Sequence, residues 1–325
     1  MDYMPVFDNR KEERQIGQPT PVVRMVEVTA AHEGQRLDNF LIRLCKGVPK
    51  SHLYKAVRSG SVRVNRSRTS VDYRIQIGDV IRVPPFRMAP ESERKVPGRE
   101  FPVVFEDDSI LVIDKPAGTA VHGGSGVSFG VIEAIRAARP QARFLELVHR
   151  LDRDTSGLLI LAKQRKALIR LHEMMRDGEF RKHYLALVKG RVANDRQHVR
   201  QRLTKWSTPS GERRVRVDEQ GQQAHTVVTC LKRFAGYSLV DAELRTGRTH
   251  QIRVHLASLG HPIVGDDKYG DEEDSRWFAS SGFKRMFLHA ASLTFIHPLT
   301  GQYLALEATL PDACEFALGL VEQSE

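Results

Sequence analysis

The sequence predicts an α+β protein in two parts. A large domain has a mixed, largely antiparallel sheet, and a small α/β domain precedes it. Three observations lead there. The 325 residues, 41% of them hydrophobic, are enough for two domains with buried cores. From Phe101 onward strand and helix patterns follow one another without the regular βαβα alternation of a parallel sheet. Between residues 26 and 88 two short helical patterns are followed by a small β-ribbon, and a stretch rich in Pro and charge separates this module from the rest.

The elements follow in order. Residues 1–25 read as a flexible lead-in. Leu37, Phe40, Leu41 and Leu44 recur at helical spacing, with Pro49 and Ser51 as punctuation. A second helix, HLYKAVRSG, ends at Gly60. VRVN and YRIQIGDVIRVP read as strands, with Gly78-Asp79 as a turn. Residues 89–100 read as a linker, and 101–325 as the large domain. FPVVFEDDSILVIDKP reads as two strands about an acidic turn, and FGVIEAIRAAR as a helix. LELVHRLD and SGLLILAK read as strands flanking a polar loop. KALIRLHEMMRDGEF is an amphipathic helix and KHYLALVKG a strand. The remainder is mostly strand, with one helix near THQIRVHLASLG and one near the C-terminus.

The net charge of +10 and pI of about 9.6 point to a polyanion partner. The distribution says more. Between Gly34 and Met88 there are 12 Lys or Arg against 3 Asp or Glu, a net of +9. Nearly the whole surplus sits in the small module, which suits nucleic-acid docking. Cys45, Cys230 and Cys314 lie far apart with no C-x-x-C pair, so they read as reduced thiols, not a zinc site or disulfide framework. The polar N-terminus does not resemble a secretory signal, and no apolar run is long enough to span a membrane. The cytoplasm is the expected compartment.

Three clusters could carry chemistry. HRLDRDTSG, residues 149–157, lies between two apolar segments that deliver its charges to one edge of a sheet. A solvated turn explains Asp154 to Gly157, but not why Arg150 and Asp152 interrupt a strand-like run. In RTGRTHQIRVHL, residues 245–256, Thr249 is a candidate N-cap, and Ile252, Leu256 and Leu259 form an apolar stripe. Arg253 lies off that stripe and could face a site; a guanidinium grips a carboxylate in a planar fork. The alternative is a basic surface helix. In KHYLALVKG, Tyr184 is either half-buried core or a ring that stacks on an extruded base and offers its hydroxyl.

Two other chemistries need weighing. Gly126 to Gly130 matches the G-x-S-x-G elbow of serine hydrolases, beside His122-Gly123-Gly124. No strand runs into Ser128, however, so that serine reads as a helix cap and the glycines as an anion-tolerant loop. Asp152, Asp154, Asp266 and Asp267 could hold Mg²⁺ in a nuclease, yet Arg residues flank most of these acids, which suits ion pairs better.

At these clusters the sequence resembles the RluA-type pseudouridine synthases, and among them those acting on large-subunit ribosomal RNA. HRLDRDTSG, KPAGTAVHGGSGVSFGVIEAI, TGRTHQIRVHL and FLHAASLTFIHP carry the resemblance, which runs from about Val28 to the C-terminal region. QRLDNFL…GVPKSHLYKAVRSGSVRVN resembles the alpha-L RNA-binding motif. The resemblance implies the pseudouridine synthase fold and isomerisation of uridine to pseudouridine in 23S ribosomal RNA, at several uridines of the peptidyl-transferase region. It implies Asp152 as catalytic carboxylate, Tyr184 as active-site tyrosine and Arg253 as the basic partner of Asp152. Arg150 helps eject the base, and Leu288 walls the uracil pocket. His149, Arg248 and His250 are further candidate substrate contacts; Arg36, Lys50, Lys55, Arg58, Arg63 and Arg66 are candidate RNA contacts. No metal, organic cofactor or cosubstrate is implied, and a monomer is expected. A rival from another class is an RNA-binding assembly factor whose synthase site is unused.

Overall fold

The computed structural model describes residues 22–30, 32–45, 47–86, 96–123, 129–209 and 211–323. The chain forms two compact units, Met1–Lys95 and Val96–Glu325.

In the first unit, β1 (Arg24–Glu27), β2 (Arg63–Val64) and β3 (Val80–Val83) make an antiparallel sheet in the order β1-β3-β2. Helices α1 (Leu37–Leu44) and α2 (Lys50–Arg58) supply Leu37, Phe40, Leu41, Leu53 and Val57 to its core. Most of the lead-in expected over 1–25 lies outside the described residues. Arg24 and Met25 do not belong to it, because they pair with Val83 and Arg82 in β1. YRIQ is not a strand of this sheet. Its backbone bonds the entry to α1 instead, with Leu37 N donating to Tyr73 O (2.8 Å) and Ile75 N to Gln35 O (3.0 Å). Asp79 organises the turn by accepting from Asn65 Nδ2, Gln76 N and Tyr73 Oη.

The second unit begins before the expected boundary. Residues 89–95 of the expected linker lie outside the described residues. Arg99 N donates to Ala134 O (3.2 Å), and Glu100 pairs with Arg139 (2.8 Å), so this end of the linker is packed. The chain then forms β4 (Val103–Glu106), β5 (Ile110–Lys115), α3 (Val131–Ala138), β6 (Glu146–Leu147), β7 (Ser156–Ala162) and α4 (Arg165–Asp177). Next come β8 (Arg181–Lys189), β9 (Arg196–Ser207), β10 (Arg213–Val217), β11 (Gln222–Arg233), β12 (Tyr237–Leu244) and α5 (Gln251–Ser258). The unit closes with α6 (Glu272–Ser280), β13 (Leu288–Ile296), β14 (Tyr303–Glu307) and α7 (Asp312–Glu322).

These strands form one eleven-stranded sheet, ordered β10-β9-β11-β12-β8-β13-β7-β5-β4, with β14 on β13 and β6 on β7. β13 and β7 are its parallel pair and the other pairings are antiparallel, as expected for a mixed, largely antiparallel sheet. β7 sits deep in the order and is buried at all seven positions, which is why SGLLILA is continuously apolar. One core joins α3 and α5 to Leu159, Leu161, Tyr184, Ala186 and Val240 of the sheet. Others gather Leu168 and Leu171 of α4 with Ile160 and Phe295, and Phe278 of α6 with Leu187 and Ala317.

Three local readings need correction. Helix α6 was not expected, although its signal is present: Asp271 caps it by accepting from Glu273 N and Asp274 N, and its first turn is acidic. α5 is not capped by Thr249. Its N-cap is His250, in the left-handed region at φ 53°, while the Gln251 side chain accepts from Arg248 N. α3 is entered through Gly130, whose N–H donates to Glu133 Oε2 (2.8 Å); Ser128 and most of the glycine loop lie outside the described residues.

Candidate active site

The polar loop carrying Asp152 exists because the β6–β7 ladder is interrupted. LELVHRLD pairs with β7 only at Glu146 and Leu147. Val148 N still donates to Ile160 O, but Ile160 N donates to His149 Nε2 (3.1 Å) instead of to a backbone carbonyl. The imidazole thus ends the strand, and the chain turns away through Arg150 and Asp152. His149 was expected to contact substrate; its ring is committed to this bond and it does not line the cleft. Burial pushes its pKa down to about 3.

Two further contacts hold the loop. Gly157, at φ 107°, lies against Ala290 so closely that a Cβ would fall 2.3 Å from Ala290 O, so only glycine fits there. Lys115 is fully buried and donates to Pro116 O, Thr119 O and Arg153 O at 2.8 to 3.0 Å. Burial brings its pKa down to about 7, against the attraction of Asp154. Sequence reasoning passed over this lysine, although it opens the quoted KPAGT segment.

Arg253 approaches from α5. Its Nη1 donates to Asp152 Oδ2 at 3.2 Å. Its Nε and Nη2 form a fork on Asp266 at 2.7 and 2.6 Å, and Nη2 also reaches Asp267 at 3.2 Å. The ring of Tyr269 lies 5.1 Å from the guanidinium carbon. Burial alone would lower the Arg253 pKa, but the Asp266 hydrogen bonds and charge outweigh it and raise it. Burial likewise opposes the charge on Asp266, yet its bonds to Arg253, Lys268 N and Tyr269 N hold its pKa below the usual carboxylate range. α5 is therefore not a basic surface helix: Gln251 to Leu256 are all buried. The aspartates weighed as Mg²⁺ ligands are ion-paired, three with Arg253 and Asp154 with Arg153.

His250 completes the cluster. Tyr269 Oη accepts from Val215 N (2.8 Å) and shares a second hydrogen bond with His250 Nδ1 (2.8 Å). His250 Nε2 then faces Asp152 Oδ1 at 3.9 Å. Burial lowers the His250 pKa, the charge of Asp152 opposing it. Tyr184 stands on β8 between Ala242 and Ala290, 7% exposed. Burial first, and the Asp152 charge second, raise its pKa, so the ring enters the site as a neutral phenol.

The structure brings Asp152, Tyr184, Arg253, Arg150, Arg248, His250 and Leu288 together around one cleft. Asp266, Tyr269 and Gln251 complete the site and were not foreseen in these roles. In the small unit, Lys50, Lys55, Arg58, Arg63 and Arg66 are exposed. Arg36 is not free for RNA in the same way, since its Nε and Nη2 both bind Asp38 (3.2 and 3.0 Å). That bond, helped by Tyr54, brings the Asp38 pKa down to about 2.

Burial also holds His255 neutral, with a pKa of about 4. Like His149, it binds a proton more readily in the unfolded chain, whose histidines titrate near 6.5. A depressed folded pKa means that stability is complete above pH 6.5 and is lost as pH falls towards 4 for His255 and 3 for His149. Urea unfolding should therefore give about 1.5 kcal/mol less stability per histidine at pH 5 than at pH 6.5. A flat profile over that range contradicts the burial of these rings.

Comparison with known proteins returns two sequence families. RNA pseudouridylate synthase matches residues 109–258, and the S4 domain matches residues 35–81. The chain is 49% identical over 308 residues to ribosomal large subunit pseudouridine synthase C of Escherichia coli (strain K12), covering 92% of this chain and 97% of that one. It is 47% identical over 310 residues to the protein of the same name from Haemophilus influenzae, covering 93% and 96%. Among solved structures, human RNA pseudouridylate synthase domain containing 4 aligns with a TM-score of 0.57 at 24% identity, over 68% of this chain and 93% of that one. That likeness is one of fold.

Proposed function

The chain belongs to the RNA pseudouridylate synthase family, and from that premise we propose that it isomerises uridine to pseudouridine in large-subunit (23S) ribosomal RNA, using Asp152. The observation that carries the reading is the Asp152–Arg253 pair at 3.2 Å, in a cleft walled by Tyr184 and Leu288. The substrate class is supported by the large-subunit synthases that match along almost the whole chain. The S4 domain, with its exposed lysines and arginines, supplies phosphate contacts.

The reaction breaks the bond from the ribose to a uracil nitrogen and joins carbon 5 of the same ring to the sugar. The carbon 5 proton leaves and the freed nitrogen gains one, so no cosubstrate is consumed. A base stacked in RNA is out of reach, so it must be extruded, and Arg150, exposed at the rim, fills the gap. Asp152 then meets the sugar as nucleophile or as base. Arg253 orients the carboxylate from a frame fixed by Asp266. Tyr184 and Leu288 hold the detached ring, and the neutral Tyr184 phenol offers it a hydrogen-bond donor.

The test is to incubate the purified chain with unmodified 23S RNA and map pseudouridine by carbodiimide adducts and primer extension. Modification at a few discrete uridines is the expected result. RNA that stays unmodified, or is modified only in the small-subunit transcript, defeats the proposal.

A further inference from the structure

A cavity larger than the Asp152 cleft lies beside it. It has a volume of about 370 Å³ and opens between β9, β10, β11 and the loop before α5. That volume falls in the ~300–1,000 Å³ range of small-molecule sites. Leu203 and Val215 make an apolar floor backed by Val254. Lys205 and Arg248 place two cations on its walls, and Gln222 adds an amide.

Arg248 lines this cavity and the Asp152 cleft alike. Its side chain is held at one end only, by Nε donating to Gln223 O (3.1 Å), while its backbone N–H donates to Gln251 Oε1 (3.0 Å). Its terminal nitrogens, and Lys205 Nζ, have no partner among the described residues. A guanidinium fixed between two hollows and open to both can bridge two linked units of one ligand. The surrounding ribbon is strongly basic: Arg196 to Val217 holds seven Lys or Arg against one acid, Glu212. An apolar floor, an amide and two cations match a flat ring with polar edges joined to a phosphate.

We infer that this cavity receives the nucleotide adjoining the target uridine. Its base rests on Leu203 and Val215, and the linking phosphate lies on Arg248 and Lys205. The inference rests on the RNA substrate proposed above and gives that substrate a second point of recognition.

The test uses the full chain and a short RNA stem-loop containing one target uridine, either intact or abasic at the 5′ or the 3′ neighbour. Removing one of the two neighbouring bases should raise the wild-type KM and Kd about ten-fold, the size of one apolar ring face returned to water, with kcat unchanged. Gln222→Trp, which fills the cavity, should raise them equally on intact RNA and add nothing on that abasic RNA. Lys205→Ala should reduce the slope of log Kd against log salt by about one. Values within two-fold of wild type for both variants on intact RNA, or a Gln222→Trp effect that simply multiplies with base removal, overturn the inference. Should the wild-type chain make no pseudouridine, the proposed function fails, while the Kd series still decides the cavity.

Discussion

Asp152→Asn should abolish pseudouridine formation, lowering kcat by about 10⁴-fold or more, as loss of a nucleophile or its partner does elsewhere. The substitution is nearly isosteric. The amide oxygen can still accept from Arg253 Nη1, while Nε and Nη2 of the same guanidinium keep Asp266 and Asp267 as partners. Fold and RNA affinity should therefore stay within about three-fold of wild type, since phosphate contacts dominate affinity. Only the negative charge and the reactive lone pair are lost. Release of tritium from RNA labelled at uracil carbon 5 measures turnover, and filter binding measures affinity. Release at more than a hundredth of the wild-type rate would remove Asp152 from the chemistry. Loss of binding together with turnover would mean that the residue was merely structural. That experiment also separates the synthase from an assembly factor with an unused site.

The parts of the fold legible in the sequence are those governed by periodicity. α1, α4 and α5 each present apolar residues at helical spacing, and β7 is too apolar to lie anywhere but in the interior. α6 escaped because its signal is electrostatic, an Asp cap and three acids ahead of a short apolar face. LELVH continues the strand pattern, so the sequence suggests a longer β6 than the fold allows; His149 Nε2 takes the place of a ladder carbonyl. The same blindness affects the site. HRLDRDTSG and TGRTHQIR could be picked out because charge interrupts apolar runs. Asp266 lies thirteen residues beyond Arg253 in a turn full of polar residues, and nothing in the local pattern distinguishes it from Asp267 beside it. Yet Asp266 is buried and holds the guanidinium, while Asp267 is largely exposed. Long-range pairing decides such roles, and a one-dimensional pattern does not encode it.

Arg253→Met should cost about 3–5 kcal/mol of stability, because it strips the partner from a buried carboxylate. Asp266 is 3% exposed, and once the guanidinium is gone it keeps only the Lys268 and Tyr269 N–H groups. Arg253→Met/Asp266→Asn removes the stranded charge while preserving an acceptor for those two N–H groups. The double variant should recover about half of the loss, a coupling of about 2 kcal/mol within the range for residues in direct contact. Activity should not return with stability, since Asp152 still lacks the guanidinium that orients it. Arg253→Lys keeps the charge but not the fork. One ammonium cannot span the Asp266 carboxylate and also reach Asp152, so it should fold well and turn over slowly. Urea denaturation of the three variants gives the stabilities, and tritium release gives the rates. Activity that rises in step with stability in the double variant would make Arg253 a scaffold residue for the Asp266 turn, with no part in placing Asp152.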